Sequence, residues 1–451
     1  MAKRAWLLLA LWPVVGLALP KIETWNTANG ARVYFVRAPE LPMVDLRVAF
    51  DAGSARDQTQ WGLAGLTNGM LAEGAGGLTA QTLSERFEAT GAQFNNSSGR
   101  EMASVGLRSL TESPYLERAV ETLGLVLQKP DFPAEALERQ RKLMLTALKQ
   151  REQDPAAIAE DRFMGVLYQD HPYGSPPHGS AKTLGALKRD DLLAHYRRYY
   201  CGRNAVIGLV GDLTRPQAAS IAEKLVATLP EGAAAPPLPP ALKIVKPIEI
   251  HVPYPSSQTH IWAGRAGFAR LDPDYFPLYL GNHVLGGGGF ISRLYKEVRE
   301  KRGLSYSVYS YFQPMRVAGP FIAGLQTSFE QADQALSVMR ETLTKFVADG
   351  PSATEMEASV KNIAGGFPLR IDSSNEVIEY LILIGFYGLP LDFLDTYVDH
   401  IRAVTLLDIG AAFKRRMDPP DLITVTVGPK GKPPPGAPAP PLEPAPAGRH
   451  H

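Results

Sequence analysis

Hydrophobic and polar positions along the chain fall into two series of short alternating runs, each followed by longer runs of helical period. The segments "ARVYFVRA" (31–38) and "MVDLRVAFDAG" (43–53) alternate with period two and are rich in β-branched residues, which predicts strands. The same texture returns in "IEIHVP" (248–253) and "THIWAGRAG" (259–267). Apolar spacing near 3.6 predicts helices over Thr79–Thr90, Pro133–Arg151 and Leu184–Tyr199 in the first half. In the second half it predicts them over Phe290–Lys301, Glu330–Ala348 and Ser352–Gly366. Each half closes on a further strand, "AVIGLVGD" from Ala205 and "LITVTVGP" from Leu422.

The two series are related. "AGSARD" (52–57) returns as "AGFARLD" (266–272), and the same offset of 214 carries Asn68 to Asn282 and Leu71 to Leu285. An offset of 212 carries Gly91 to Gly303 and Phe94 to Tyr306, and one of 217 relates the closing strands. Ordered matches at both ends of each half are the mark of a duplication. The expected fold is α+β: two tandem homologous domains, each a mainly antiparallel or mixed sheet with helices packed on one face. The first domain is expected over 19–229 and the second over 244–430. The stretch "PEGAAAPPLPPALK" (230–243) between them reads as a linker, and the Pro/Ala-rich end (431–451) as a tail with nothing to build a core.

Composition narrows the function classes. With 451 residues, 45% of them apolar and 21% charged, the chain has ample material for two cores. A net charge of +1 gives no reason to expect nucleic acid. Cys201 is the single cysteine, so no intrachain disulfide is expected. At the start, Lys3 and Arg4 precede the apolar run Ala5–Leu19, too short to span a bilayer and closed by small residues. This reads as a signal peptide over 1–18, leaving no membrane span after cleavage, and predicts an exported bacterial protein, periplasmic or secreted.

One stretch is unusual for a helix. "GLAGLTNGMLAEG" (62–74) places Gly65 and Gly69 one turn apart with Asn68 beside them, although a glycine inside a helix costs about 1 kcal/mol relative to alanine. Together with "AGSARD" before it, this segment resembles the pitrilysin, insulinase and mitochondrial-processing-peptidase family over almost the whole mature length. In that family the helix reads His-x-x-Glu-His: two histidines bind zinc and the glutamate acts as general base. Here the three working positions are Gly65, Asn68 and Gly69, and the family's third ligand, a glutamate on a later helix, falls at Ala147. The resemblance therefore implies a degenerate zinc site with no metal in this chain. The remaining histidines are scattered, and the pair in "HPYGSPPH" lies in a family turn. Simple loss of selection accounts for the glycines; close passage of a peptide over the backbone is the alternative.

The second half keeps a different motif, "VLGGGGFISRLYKEVREKRGLSYSVYSYF" (284–312). Its Gly286, Gly287, Gly288 and Gly289 read as a flexible loop before a helix, without the Gly-Lys-Ser/Thr ending of a phosphate loop. The motif resembles the family's C-terminal domain, where a paired arginine and tyrosine hold the substrate backbone and assist the reacting carbonyl. Arg299 and Tyr306 occupy those positions, with Arg302 the competing arginine. The bland alternative makes Arg299 a surface charge paired with Glu297 or Glu300, and Tyr306 a core residue. The resemblance implies a non-catalytic, substrate-binding subunit of a heterodimeric zinc metalloendopeptidase. Its partner would be a homologous His-x-x-Glu-His subunit carrying the zinc, and its substrate an unfolded peptide. A structural or chaperone-like protein of the same fold is the alternative.

Overall fold

The computed structural model describes residues 21–241, 246–418 and 421–430. The expected signal segment and the Pro/Ala-rich tail lie outside the described residues.

The first sheet is formed by strands β1 (Glu23–Asn26), β2 (Arg32–Arg37), β3 (Met43–Phe50), β6 (Gln93–Ser98), β7 (Ala103–Leu110) and β8 (Ala205–Gly211), in the order β1-β2-β8-β3-β7-β6. A two-residue ladder, β4 (Gly74–Ala75) with β5 (Leu78–Thr79), stands apart. The second sheet contains β9 (Ile248–Pro253), β10 (Gln258–Ala266), β11 (Ser307–Phe312), β12 (Pro320–Ser328) and β13 (Ile423–Gly428), in the order β11-β12-β10-β13-β9. The five strands β2-β8-β3-β7-β6 and β9-β13-β10-β12-β11 trace the same path. Each contains one parallel pair, β2 with β8 and β9 with β13, at the same place. The duplication read from sequence offsets is thus present as topology.

Helices α1 (Leu63–Met70), α2 (Ala80–Glu88), α3 (Tyr115–Gln128), α4 (Ala134–Arg151), α5 (Pro155–Tyr168), α6 (Ala181–Ala186), α7 (Arg189–Tyr199) and α8 (Arg215–Val226) belong to the first half. The second half carries α9 (Tyr275–Asn282), α10 (Ala332–Asp349), α11 (Ala353–Gly366), α12 (Ser374–Tyr387), α13 (Phe393–Ala403) and α14 (Leu406–Met417). The single helix expected over 184–199 is divided, because Leu187 leaves the helical region at ψ 135° and α7 restarts where the Asp191 carboxylate accepts from Lys188 N at 2.7 Å.

Strand alternation gives each sheet two apolar faces. Val33, Phe35, Leu46, Val48, Ile207 and Leu209 point into the core made with the first half's own helices. The other face is covered from the second half: Ile378 and Ile382 of α12 lie over Gly208, and Gly385 presses against Tyr34 and Val206. Polar ties fix the placement, since Arg32 Nη1 donates to Gly385 O at 2.8 Å and Arg47 pairs with Glu379. The exchange is reciprocal. Ala159, Phe163 and Leu167 of α5 pack on Ile423, Val425 and Val427 of β13, and the Phe163 ring lies 6.0 Å from that of Trp262 on β10. Each domain therefore completes the other's sheet.

A buried carboxylate joins the two halves at the same junction. Glu101, in the β6–β7 turn, accepts from the hydroxyls of Tyr173 and Tyr387 (2.6 Å for the latter) and from Arg316 N at 3.0 Å. Arg316 also stacks over Phe386 at 4.3 Å and reaches Asp51, which is itself paired with buried Arg56 at 2.7 Å. Residues 230–241 of the proline-rich stretch are irregular and fastened: Pro236 O accepts from Arg56 Nη1 at 2.8 Å, and Pro239 O lies 2.8 Å from His171 Nε2.

Two outcomes follow. Glu101→Leu leaves two buried hydroxyls and a backbone N–H without an acceptor, and is expected to lower stability by about 3 kcal/mol in urea melts. In the wild type, far-UV and tryptophan signals should move in one coincident transition. The second outcome concerns pH. Burial depresses His195 from 6.5 to about 4, with its ring nitrogen 3.3 Å from Ala52 O. The neutral ring therefore contributes stability above pH 6.5 that is lost as pH falls towards 4, at up to about 1.4 kcal/mol per pH unit. The fall in Tm over that range should be shallower in His195→Gln.

Candidate functional site

The degenerate helix α1 begins at Gly62, whose φ of +90° suits glycine. Buried Asp57 caps it from outside, accepting from Gly62 N and Ala64 N at 2.8 Å each. Burial pushes the Asp57 carboxyl up to about 7, against the pull of those backbone donors. Leu63, Leu66 and Met70 anchor the helix in the core, and the two glycines fall on its half-exposed side.

A Cβ at Gly69 would meet nothing within 4 Å, and one at Gly65 would meet only Met144 Cε at 3.6 Å and Pro177 O at 3.8 Å. Packing therefore does not demand glycine at either position. Asn68 turns inward instead: its Nδ2 donates to Ser104 O at 3.2 Å and to the Tyr200 hydroxyl at 3.4 Å, while its backbone carbonyl accepts from Asn96 Nδ2 at 2.8 Å. An amide carries no basic lone pair, so this position ties α1 to β6 and β7 and cannot deprotonate water. Ala147, expected to mark the third ligand, is exposed, and the α4 side chain that reaches Gly65 is Met144, about one turn earlier.

A zinc ion does not fit these residues: glycine offers no side-chain donor, and a thioether and a buried amide are poor ligands for it. Among the described residues, no group of three or more His, Cys, Asp or Glu could hold a metal ion. The His171 ring has both nitrogens committed, one accepting from Tyr173 N at 3.0 Å and the other facing Pro239 O.

The glycine-rich segment is built differently from the flexible loop and regular helix expected of it. After α9 the chain makes a wide turn over His283–Gly287, closed by Gly288 N donating to His283 O at 2.8 Å. Gly286 is buried, and a Cβ there would lie 2.5 Å from Ser310 N. Asn282 Nδ2 donates to Ser310 O at 3.0 Å and Ser310 Oγ returns a bond to Asn282 Oδ1 at 2.7 Å, holding the turn against β11. Gly287 and Gly288 are half-buried; Gly289, at φ +58°, carries the chain out to the exposed Phe290.

Tyr295–Glu300 then forms a wide helical turn in place of regular helix, with Lys301 N bonded to Lys296 O five residues back. Arg293 anchors it to α11 through two bonds of 2.7 Å to Glu355. That pairing holds the Glu355 carboxyl down at about 2. At Gly303, φ +63°, the chain reverses and Gly303 N bonds Arg299 O at 2.9 Å.

The reversal brings the two sequence-predicted residues together. Arg299 Cζ lies 4.5 Å from the Tyr306 ring centre and 4.9 Å from that of Tyr295. Tyr306 is 61% exposed, away from the core, and borders a shallow cleft of about 170 Å³ lined by Gly303, Ser305, Ser307 and Gln326. The competing Arg302 is committed to Glu297, at 2.8 Å, as is Lys301 at 2.6 Å. Tyr295 was not singled out by the sequence reading, although its place four residues before Arg299 was the available signal.

Comparison with known proteins gives this geometry a family. Residues 32–179 match the family model described as Insulinase (Peptidase family M16), and residues 186–363 match the one described as Peptidase M16 inactive domain. The chain belongs to peptidase family M16. A Helicobacter pylori relative described as "Non-peptidase homolog YmxG" is 28% identical over 395 residues, covering 87% of this chain and 90% of the relative. The "Uncharacterized zinc protease YmxG" of Bacillus subtilis is 24% identical over 423 residues, covering 92% and 100%. A crystal structure described as the peptidase M16 inactive domain from Pseudomonas fluorescens superposes with a TM-score of 0.88 at 38% identity, covering 90% of this chain and 98% of that one. With glycine, asparagine and glycine on α1, this chain is an inactive member of the M16 family.

Because neither α1 glycine is sterically required, Gly65→Ala and Gly69→Ala are each expected to raise stability by about 0.5–1 kcal/mol. Denaturant midpoints measure this, and a lowered midpoint would show that the helix needs its bare face.

Proposed function

We propose that this protein is the substrate-binding, non-catalytic subunit of a heterodimeric zinc metalloendopeptidase, exported to the periplasm or beyond. Hydrolysis belongs to a homologous partner bearing His-x-x-Glu-His and its zinc. This chain contributes the surface that receives an unfolded peptide and sets it against that centre. The observation that carries the reading is the juxtaposition of Arg299 and Tyr306. Two residues seven apart are brought within stacking distance by a glycine reversal, on a surface beside a cleft, with the competing arginine tied elsewhere.

The chemistry suits the role. A guanidinium fork donates to a peptide carbonyl and favours the negative charge that gathers on its oxygen during attack. A tyrosine hydroxyl adds a second donor to the same oxygen. The glycine run, with its small cross-section, lets an extended backbone approach closely at Gly287–Gly289. On α1 the Gly65 and Gly69 positions then need no chemistry, and the helix persists because its buried face still packs.

The test is hydrolysis of fluorogenic peptides by this chain alone, by a His-x-x-Glu-His homologue from the same source, and by the two mixed. Activity gained on mixing and abolished by a zinc chelator supports the split site. No gain despite confirmed association makes the chain a structural member of the assembly. In a verified heterodimer, Arg299→Ala or Tyr306→Phe should lower turnover by roughly tenfold to a hundredfold, the effect of losing about 1.5–3 kcal/mol of charge-assisted contact. Unchanged kinetics would remove the role assigned to the pair.

A further inference from the structure

Segment 290–306 contains three arginines besides its lysines, and they are not equivalent. Arg293 is locked to Glu355 through two bonds of 2.7 Å, and Arg302 to Glu297 at 2.8 Å. Arg299 has no carboxylate and no hydrogen-bond acceptor among the described residues. What it has is two rings, Tyr295 at 4.9 Å and Tyr306 at 4.5 Å. Cation–π contacts steady a guanidinium and strip part of its hydration while committing none of its five N–H donors. Of the two acids beside Arg299 in sequence, Glu297 is already shared by Lys301 and Arg302, and Glu300 forms no ion pair with it. The segment therefore holds one cation in place and leaves its donors unused.

An apolar element lies beside it. Phe290, 72% exposed at the tip of the glycine run, sets its ring edge-on against Tyr295 with centres 5.0 Å apart, and the neighbouring Ile291 is also exposed. The order in space is an exposed phenyl ring, then Tyr295, then the cation, then Tyr306.

We propose that Tyr295, Arg299 and Tyr306 form a carboxylate receptor, and that it selects peptides whose carboxylate adjoins a bulky apolar side chain able to cover Phe290. The inference rests on the reading that this segment receives peptide, and it names the class of peptide. A single carbonyl uses one arm of a guanidinium, whereas a carboxylate uses both, in a charge-assisted pair about twice as strong as neutral bonds. Rings on the cation lower the local dielectric and strengthen that preference. The carboxylate comes either from a chain terminus or from an aspartate or glutamate side chain. Tyr295 acts as a positioning residue that fixes Arg299.

Fluorescence anisotropy with the full chain tests this, using a dye-labelled peptide of about ten residues ending in Leu-Phe, prepared in three forms: free C-terminal acid, C-terminal amide, and amide with an aspartate beside the phenylalanine. A carboxylate form should bind at least about tenfold tighter than the plain amide, with the gap narrowing at high salt. Preference for the free acid alone identifies a chain terminus as the source; preference for the aspartate form identifies a side chain. The gap should vanish in Arg299→Gln, shrink in Tyr295→Ala and return in Tyr295→Phe, and Phe290→Ala should weaken all three forms alike. Equal affinity of the three forms for the wild-type chain overturns the carboxylate receptor while leaving peptide binding in place. No binding of any form at high peptide concentration overturns the peptide reading and the receptor together.

Discussion

Everything in this structure depends on a reciprocal burial, of α5 on the second sheet and of α12 on the first. A mixed sheet with apolar residues on both faces must be covered twice, and each half of this chain builds helices enough for one side of its own sheet. The second cover is lent by the other half: Phe163 reaches across to Trp262 in one direction, and Ile378 and Ile382 settle over Gly208 in the other. The polar network around Glu101, Arg316, Asp51 and Arg56 lies at the same junction. There each buried charge needs its partners, because an unpaired one would cost more than the packing gains. The relative placement of the two halves is therefore a property of the core rather than of the linker. That rigidity lets residues on the second sheet act as a fixed surface.

The two halves have used the same scaffold position differently. Asn68 and Asn282 correspond under the offset, and at both a short helix is fastened to the neighbouring edge strand: at Asn68 through its backbone carbonyl, which accepts from Asn96 of β6, and at Asn282 through its side chain, bonded to Ser310 of β11. Beyond this shared tie, the first half presents two bare glycines and the second a braced turn that projects an aromatic ring and a caged cation. The first retains the shape of a metallopeptidase helix without the atoms needed for metal. The second retains polar groups whose geometry is still held by specific bonds, among them Arg293 to Glu355. That bracing is the reason the proposed peptide-binding role is assigned to the second half.

Much of this was legible in the sequence because it is written in period two and in paired offsets. The strands fall where alternation placed them, and the duplication reappears as identical strand order. What failed did so for local physical reasons. In α12, residues 377–386 are apolar almost all round, so no amphipathic stripe marked the helix. A helix of that kind needs cover on every side, and here it finds it between the domains. Around α4 the apolar positions 143, 144, 145, 147 and 148 do not single out one face, so spacing alone could not say which side chain turns towards Gly65; in the structure it is Met144, with Ala147 exposed. Over 290–301 a regular helix was expected, but the glycine run and the bracing by Ser310 and Glu355 favour wide turns. The choice between Arg299 and Arg302 could not be made from spacing; in the structure the reversal at Gly303 delivers Arg302 to Glu297 and sets Arg299 against Tyr306.

The crossed helices also bear on how the chain is made. Synthesis runs from the N-terminus, so the last strand of the first sheet, ending at Gly211, leaves the ribosome long before α12, which begins at Ser374. Throughout that interval the first half has an apolar sheet face with nothing to lie on it. That face stays uncovered until α12 has emerged. A nascent chain that stays open over that interval is one on which cellular factors, a chaperone or a translocation channel, have time to act.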